Sequence, residues 1–157
     1  MRIAQDGALF SLVASTYLLV LLRFNPRIFL RHYPKEIREI VPPKSEKEQR
    51  ISILLGLLIG VPFTSALLWR TSTLPSHSFW ELFAYAFGVL FIFNIVDLLI
   101  LDWLIMCWFE PRWVILSGTE HIVIPKQYLH HFKGFLMGTV GLVIVGLAIA
   151  ALLNSQF

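Results

Sequence analysis

One cysteine, Cys107, occurs among the 157 residues. A lone thiol excludes an internal disulfide, a cysteine-based zinc cluster and CxxC redox chemistry. Charge is scarce too: 15% of residues are Asp, Glu, Lys or Arg and 57% are hydrophobic. A soluble domain averages ~25% charged and roughly 45–50% apolar. Mean hydropathy is +0.72. A chain this short buries only part of its surface in its own core, so lipid must act as solvent for the rest. The apolar segments take up most of these residues, and no soluble catalytic domain is expected among them. Lys and Arg are missing from 71–78 and from the tail beyond Leu153.

Four stretches have the roughly 17–25 apolar residues that a helix needs to cross a bilayer: 8–24, 51–70, 79–109 and 134–153. Backbone groups in lipid must be satisfied within their own segment, and no barrel-type alternation is present. The expectation is an all-α membrane protein, a four-transmembrane-helix bundle forming one domain over 1–157. The third stretch is long for one crossing, and must tilt or project. The first has almost no basic flank, because Arg2 is offset by Asp6, and Arg23-Phe24-Asn25-Pro26 follows where a cleavage site would stand. It reads as a retained anchor.

Eight of the thirteen Lys and Arg fall between Arg23 and Arg50, and Arg112, Lys126 and Lys133 follow the third stretch. Short basic loops stay cytoplasmic. Loops 25–50 and 110–133 are therefore expected inside, and both termini outside, a bacterial-type plasma membrane.

Within the first loop, Pro26, Pro34, Pro42 and Pro43 forbid one long helix. Ile28, Phe29, Leu30, Tyr33, Ile37, Ile40 and Val41 alternate with cations. An amphipathic segment on the inner surface is expected, apolar side in the bilayer, with Arg27, Arg31, Lys35 and Arg38 toward anionic lipid head groups. Ser45 and Glu48 have the spacing of a capping box, which starts the second helix near Glu46. In the second basic loop, Trp113-Val114-Ile115-Leu116 and His121-Ile122-Val123-Ile124 flank a Gly118 turn, and a short β-hairpin is expected there.

Chemistry concentrates in the third segment, which carries Asn94, Asp97 and Asp102. A carboxylate in hydrocarbon costs about 2.5–3.5 kcal/mol on insertion scales, so it marks a candidate functional site. In an α-helix Asn94 and Asp97 lie about 60° apart and share a face, whereas Asp97 and Asp102 differ by about 140° and do not. A two-carboxylate site on this helix is accordingly disfavoured. The alternative role for Asp97 is architectural, as a neutral acid bonded to a neighbouring helix or a carboxylate paired with Arg23 or Arg50. Glu110, His121, His130 and His131 share the inner loop and, with Asp102, are candidate metal ligands. Adjacent histidines diverge on a helix, and the i, i+4 spacing of metal-binding helices is missing. No other cofactor is expected. Gly56/Gly60 and Gly134/Gly138 are both GxxxG, extended by Gly141, and mark faces where helices approach closely, within the chain or between copies. Pro62 should kink the second helix and open a polar cavity opposite Asp97.

The strings Asn25-Pro26-Arg27, Tyr33-Pro34-Lys35, Pro42-Pro43-Lys44, Asn94-Ile95-Val96-Asp97 and Phe132-Lys133-Gly134 resemble uncharacterised four-helix bacterial membrane proteins, over most of the chain; the resemblance brings no function with it. Phe93-Asn94-Ile95-Val96-Asp97 is also similar to the FNxAD-type motif of lipoprotein signal peptidases. Those enzymes need a second catalytic Asp on another helix, and 8–24, 51–70 and 134–153 contain no acid.

Three functions stand in this order: an accessory or scaffolding subunit packing with partners or itself; a small channel or transporter using Asn94 and Asp97; and a membrane enzyme with a cytoplasmic acid/histidine site. The expected partners are the bilayer and either a second copy or another membrane protein, not nucleic acid.

Overall fold

The computed structural model describes residues 2–75, 78–122 and 126–155. Helix α1 (Arg2–Phe24) is followed by a 3-10 segment (Pro26–His32) and the short α2 (Lys35–Ile40). Next come α3 (Glu46–Ser72), α4 (Phe79–Val96), a π-helix continuing α4 (Asp97–Phe109), a 3-10 turn (Arg112–Val114) and α5 (Tyr128–Asn154). Four helices, Arg2–Phe24, Glu46–Ser72, Phe79–Phe109 and Tyr128–Asn154, are long and apolar enough to cross a membrane.

The expected capping box is in place. Glu48 N donates to Ser45 Oγ at 3.3 Å, and Ser45 N donates to Glu48 Oε2 at 2.8 Å. At the other end of the membrane segments, α1 begins six residues earlier than the apolar run, because Asp6 has partners. Arg70 Nη2 donates to both Asp6 oxygens, at 2.7 and 2.9 Å, and the Tyr85 hydroxyl donates to Asp6 Oδ2 at 2.5 Å. One carboxylate thus joins α1, α3 and α4, and the first apolar helix does contain an acid.

Helix α4 is the hub, packed against α1 on one side and α5 on the other. Leu82, Tyr85, Ala86 and Val89 of α4 form the core with Leu67, Ile149, Ala150 and Leu153. In lipid there is no hydrophobic drive between helices, so close approach and packing hold them together. Glycine provides that approach: Gly7 lies under Ile92, Gly88 under Ile3, and Gly146 against the stacked Phe83 and Phe87 rings. At Gly56, Gly60, Gly134 and Gly141 an added Cβ would meet nothing within 4 Å, while at Gly138 it would meet Asn94 Oδ1 at 3.2 Å. Of the GxxxG positions, Gly138 alone is used for close contact within the chain. Helix α3 is the least enclosed, with only Leu67 and Thr71 buried among its 27 residues.

The first loop packs partly on the protein itself. Leu30, Tyr33, Ile37 and Val41 are buried together with Leu116, against Met106 and Ile122. The Tyr33 hydroxyl donates to Val114 O at 2.6 Å. Four of the loop's seven apolar residues therefore cover the second basic loop and the end of the π-helix, while Ile40 stays 56% exposed. Trp113 and Val114 lie in a 3-10 turn, and no strand occurs among the described residues. Val123, Ile124 and Pro125 of the expected hairpin lie outside the described residues.

Candidate functional site

The decisive local feature is the change of helix type at Asp97. From Asp97 to Phe109 the backbone closes as a π-helix, hydrogen-bonding residues five apart rather than four. It ends at Glu110, whose left-handed backbone (φ 40°) closes the last turn through Glu110 N to Ile105 O at 3.0 Å. Pro111 prevents continuation. Residues five apart in such a helix stand nearly one above another, so Asp97 and Asp102 come onto the same face. The expectation that they diverge assumed an α-helical step, and it is overturned.

That face, with Asn94, lines a cavity of about 460 Å³. Leu18, Leu19 and Leu22 of α1 form one wall; His130, His131, Gly134, Phe135 and Gly138 of α5 form another. Phe29, His32 and Tyr33 of the first loop close the loop-bearing end. Helix α3 contributes nothing to it. The region around Pro62 instead borders a separate, mostly apolar cavity of about 330 Å³, lined by Ile59, Gly60, Phe63 and Thr64 among others. The polar cavity thus comes from the helix change at Asp97 and the glycines of α5, not from a bend at Pro62.

Within the site, Asn94 Nδ2 donates to Thr139 Oγ1 at 3.0 Å and to Phe135 O at 3.2 Å. Both amide hydrogens are committed to α5. His131 Nδ1 stands 3.0 Å from Asp102 Oδ1, with both side chains largely enclosed. Asp97 has no hydrogen-bond partner among the described residues, while Arg50 pairs with Glu46 on its own helix. The Tyr33 hydroxyl is taken by Val114 O. Desolvation lowers the His32 imidazole pKa against the opposing pull of Asp102.

The metal candidates do not converge: among the described residues no group of three or more His, Cys, Asp or Glu is placed to hold an ion. His131 turns to Asp102, His130 stands edge-on to it at 5.7 Å between ring centroids, and Glu110 and His121 do not line the cavity. Among the basic-loop cations, Arg27 is occupied by Glu48, Nε to Oε1 at 2.7 Å, and by Pro42 O. Its pKa is raised by that carboxylate, and burial lowers that of Lys44, which donates to Ile28 O and to Ser52 Oγ. Arg31, Lys35 and Arg38 point outward and exposed, with Lys35 in a loose pair with Glu39 at 3.5 Å.

The sequence reading missed Asp6 and Arg70 as a pair, Gly7 and Gly88 as contact points, and His32 as part of the cavity wall. Asp6 and Arg70 were legible only as charges near two segment ends, and single glycines carry no motif. Comparison with known protein families, with curated proteins and with solved structures returns no match.

Proposed function

We propose that the chain is a small membrane transport protein in which Asp97 is the ion-binding carboxylate of an intramembrane site completed by Asn94 and Asp102. The observation that carries this reading is the cavity itself. An acid without a hydrogen-bond partner among the described residues borders a partly open cavity beside a fixed amide and a carboxylate–histidine pair. An acid retained only for architecture would be bonded across a helix interface, as Asp6 is. The wild-type protein, reconstituted into pyranine-loaded liposomes under an imposed valinomycin potential, is expected to admit protons faster than protein-free liposomes. Asp97→Asn should fall to the protein-free rate; equal rates for variant and wild type would return Asp97 to an architectural role.

A second reading, an accessory subunit of a bundle completed by another copy or another membrane protein, is favoured by the bare α3 with its open Gly56 and Gly60. In both readings the basic loops 25–50 and 110–133 face the cytoplasm and both termini face out. A Cys107→Ser background carrying single cysteines tests both points. Ser155→Cys should react with an impermeant maleimide added outside and Arg38→Cys should not. Leu58→Cys on α3 should cross-link to a neighbour if α3 has one. The reverse labelling pattern would invert the topology, and absent cross-links would remove the accessory reading.

A further inference from the structure

The polar inventory of the cavity is lopsided. No Lys or Arg occurs among its eighteen lining residues. Both hydrogens of the Asn94 amide are spent on α5, and the Tyr33 hydroxyl is spent on Val114 O. Asp102 and His131 satisfy each other, and whatever proton His131 carries is balanced by the carboxylate beside it. What remains unanswered is the Asp97 carboxylate, supported by the outer lone pairs of Asp102 and the Asn94 oxygen. Apart from the imidazole N–H groups of His32 and His130, the site offers acceptors and negative charge. Its other walls are apolar or aromatic: Leu18, Leu22, Phe29, Phe93, Leu98 and Phe135.

Resting on the transport reading, we propose that the ligand of this site is a small organic ammonium ion with a compact apolar or aromatic body, its N–H donors seated on Asp97. An ammonium brings three donors to a group of acceptors, and its charge is answered by a carboxylate in a low-dielectric setting, where that attraction is strong. Aromatic faces within reach of the cation add a cation–π contribution. The volume lies in the ordinary range of small-molecule sites, ~300–1,000 Å³. A phospholipid amine is the poorer occupant, because its phosphate would enter a lining with no Arg or Lys to receive it. Proton and ammonium compete for the same oxygens. The other titratable groups facing Asp97 are Asp102 on its own helix, His130 and His131 on α5, and His32 and Tyr33 on the first loop; α1 presents only leucines.

Gly134 gives a clean way to block the site. A Cβ there meets nothing within 4 Å, yet the residue lines the cavity, so Gly134→Leu should fill the space without disturbing the helices. Phenethylammonium is titrated calorimetrically into the full chain in nanodiscs of zwitterionic lipid, with empty nanodiscs as reference and with 2-phenylethanol and phenylacetate as neutral and anionic matches. The expected result is saturable binding of the amine alone, weakened at least tenfold by Asp97→Asn and by Gly134→Leu, and weakening steadily as the medium is acidified. Equal binding of the alcohol or the acid would overturn the charge assignment. Unchanged amine binding in a monodisperse Gly134→Leu protein would overturn the location. Should Asp97→Asn fail to fold, Gly134→Leu and the two matched ligands decide alone. Proton flux that depends on Asp97 without amine selectivity would leave the transport reading standing and remove this one.

Discussion

Gly7→Leu is expected to separate α1 from α4 and to lower the thermal midpoint of the detergent-solubilised protein by about 5–10 degrees. An added Cβ at position 7 would lie 2.6 Å from Ile92 Cδ1 and 2.9 Å from Ile92 Cβ. The terminal methyl can swing aside; the Cβ is fixed to the α4 backbone, so the helices themselves must part. Overpacking of this kind costs about 1–3 kcal/mol where the surroundings yield, and a longer side chain at a helix crossing is at the upper end. Helix packing in lipid relies on such contacts, having no hydrophobic drive behind it. Gly56→Leu is the control: a Cβ there has nothing within 4 Å, and the variant should melt with the wild type. A Gly7→Leu protein that also melts with the wild type would mean that α1 is not seated on α4 as described.

Asp6→Ala is the second large effect. It strands Arg70 at the end of α3 and removes the acceptor of the Tyr85 hydroxyl, two consequences of one truncation. The Arg70 side chain is 39% accessible, so water replaces part of what the guanidinium loses, and the main loss is of the bonds by which Asp6 ties α3 and α4 to α1. Asp6→Ala should therefore destabilise more than Tyr85→Phe, which leaves the ion pair intact. The Asp6→Ala/Arg70→Met double variant should lose less than the sum of the Asp6→Ala and Arg70→Met losses, because the two truncations remove the same contact. Thermal unfolding of the wild type, the two single variants, the Arg70→Met single variant and the double variant reads the order directly. A double variant no better than the sum of its singles would show that the two side chains do not act together.

The membrane segments were legible because hydropathy is a sum over ~20 residues, and a sum tolerates local error. The capping box was legible because it is local, two side chains three positions apart. The start of α1 was not, since whether an acid can sit in a helix end depends on Arg70 and Tyr85, far along the chain. The shared face of Asn94 and Asp97 could be computed from the α-helical step and both line the cavity; the place of Asp102 could not. A π-helix has no residue pattern comparable to an amphipathic stripe, so the register that brings Asp102 onto the face of Asp97 is visible only in the folded chain. Glycine motifs misdirected for a related reason. A GxxxG spacing records that two small residues share a face, but Gly7 and Gly88 matter because of what stands opposite them.

The Asp6 triad also constrains the order in which this protein can be assembled. Arg70 lies 64 residues beyond the acid it binds, and Tyr85 lies 79 beyond it. During synthesis α1 is made before either partner exists, and the end of α1 that bears Asp6 cannot close until α3 and then α4 are delivered. Helix α1 is thus made before the partners of its carboxylate and is locked only once they follow.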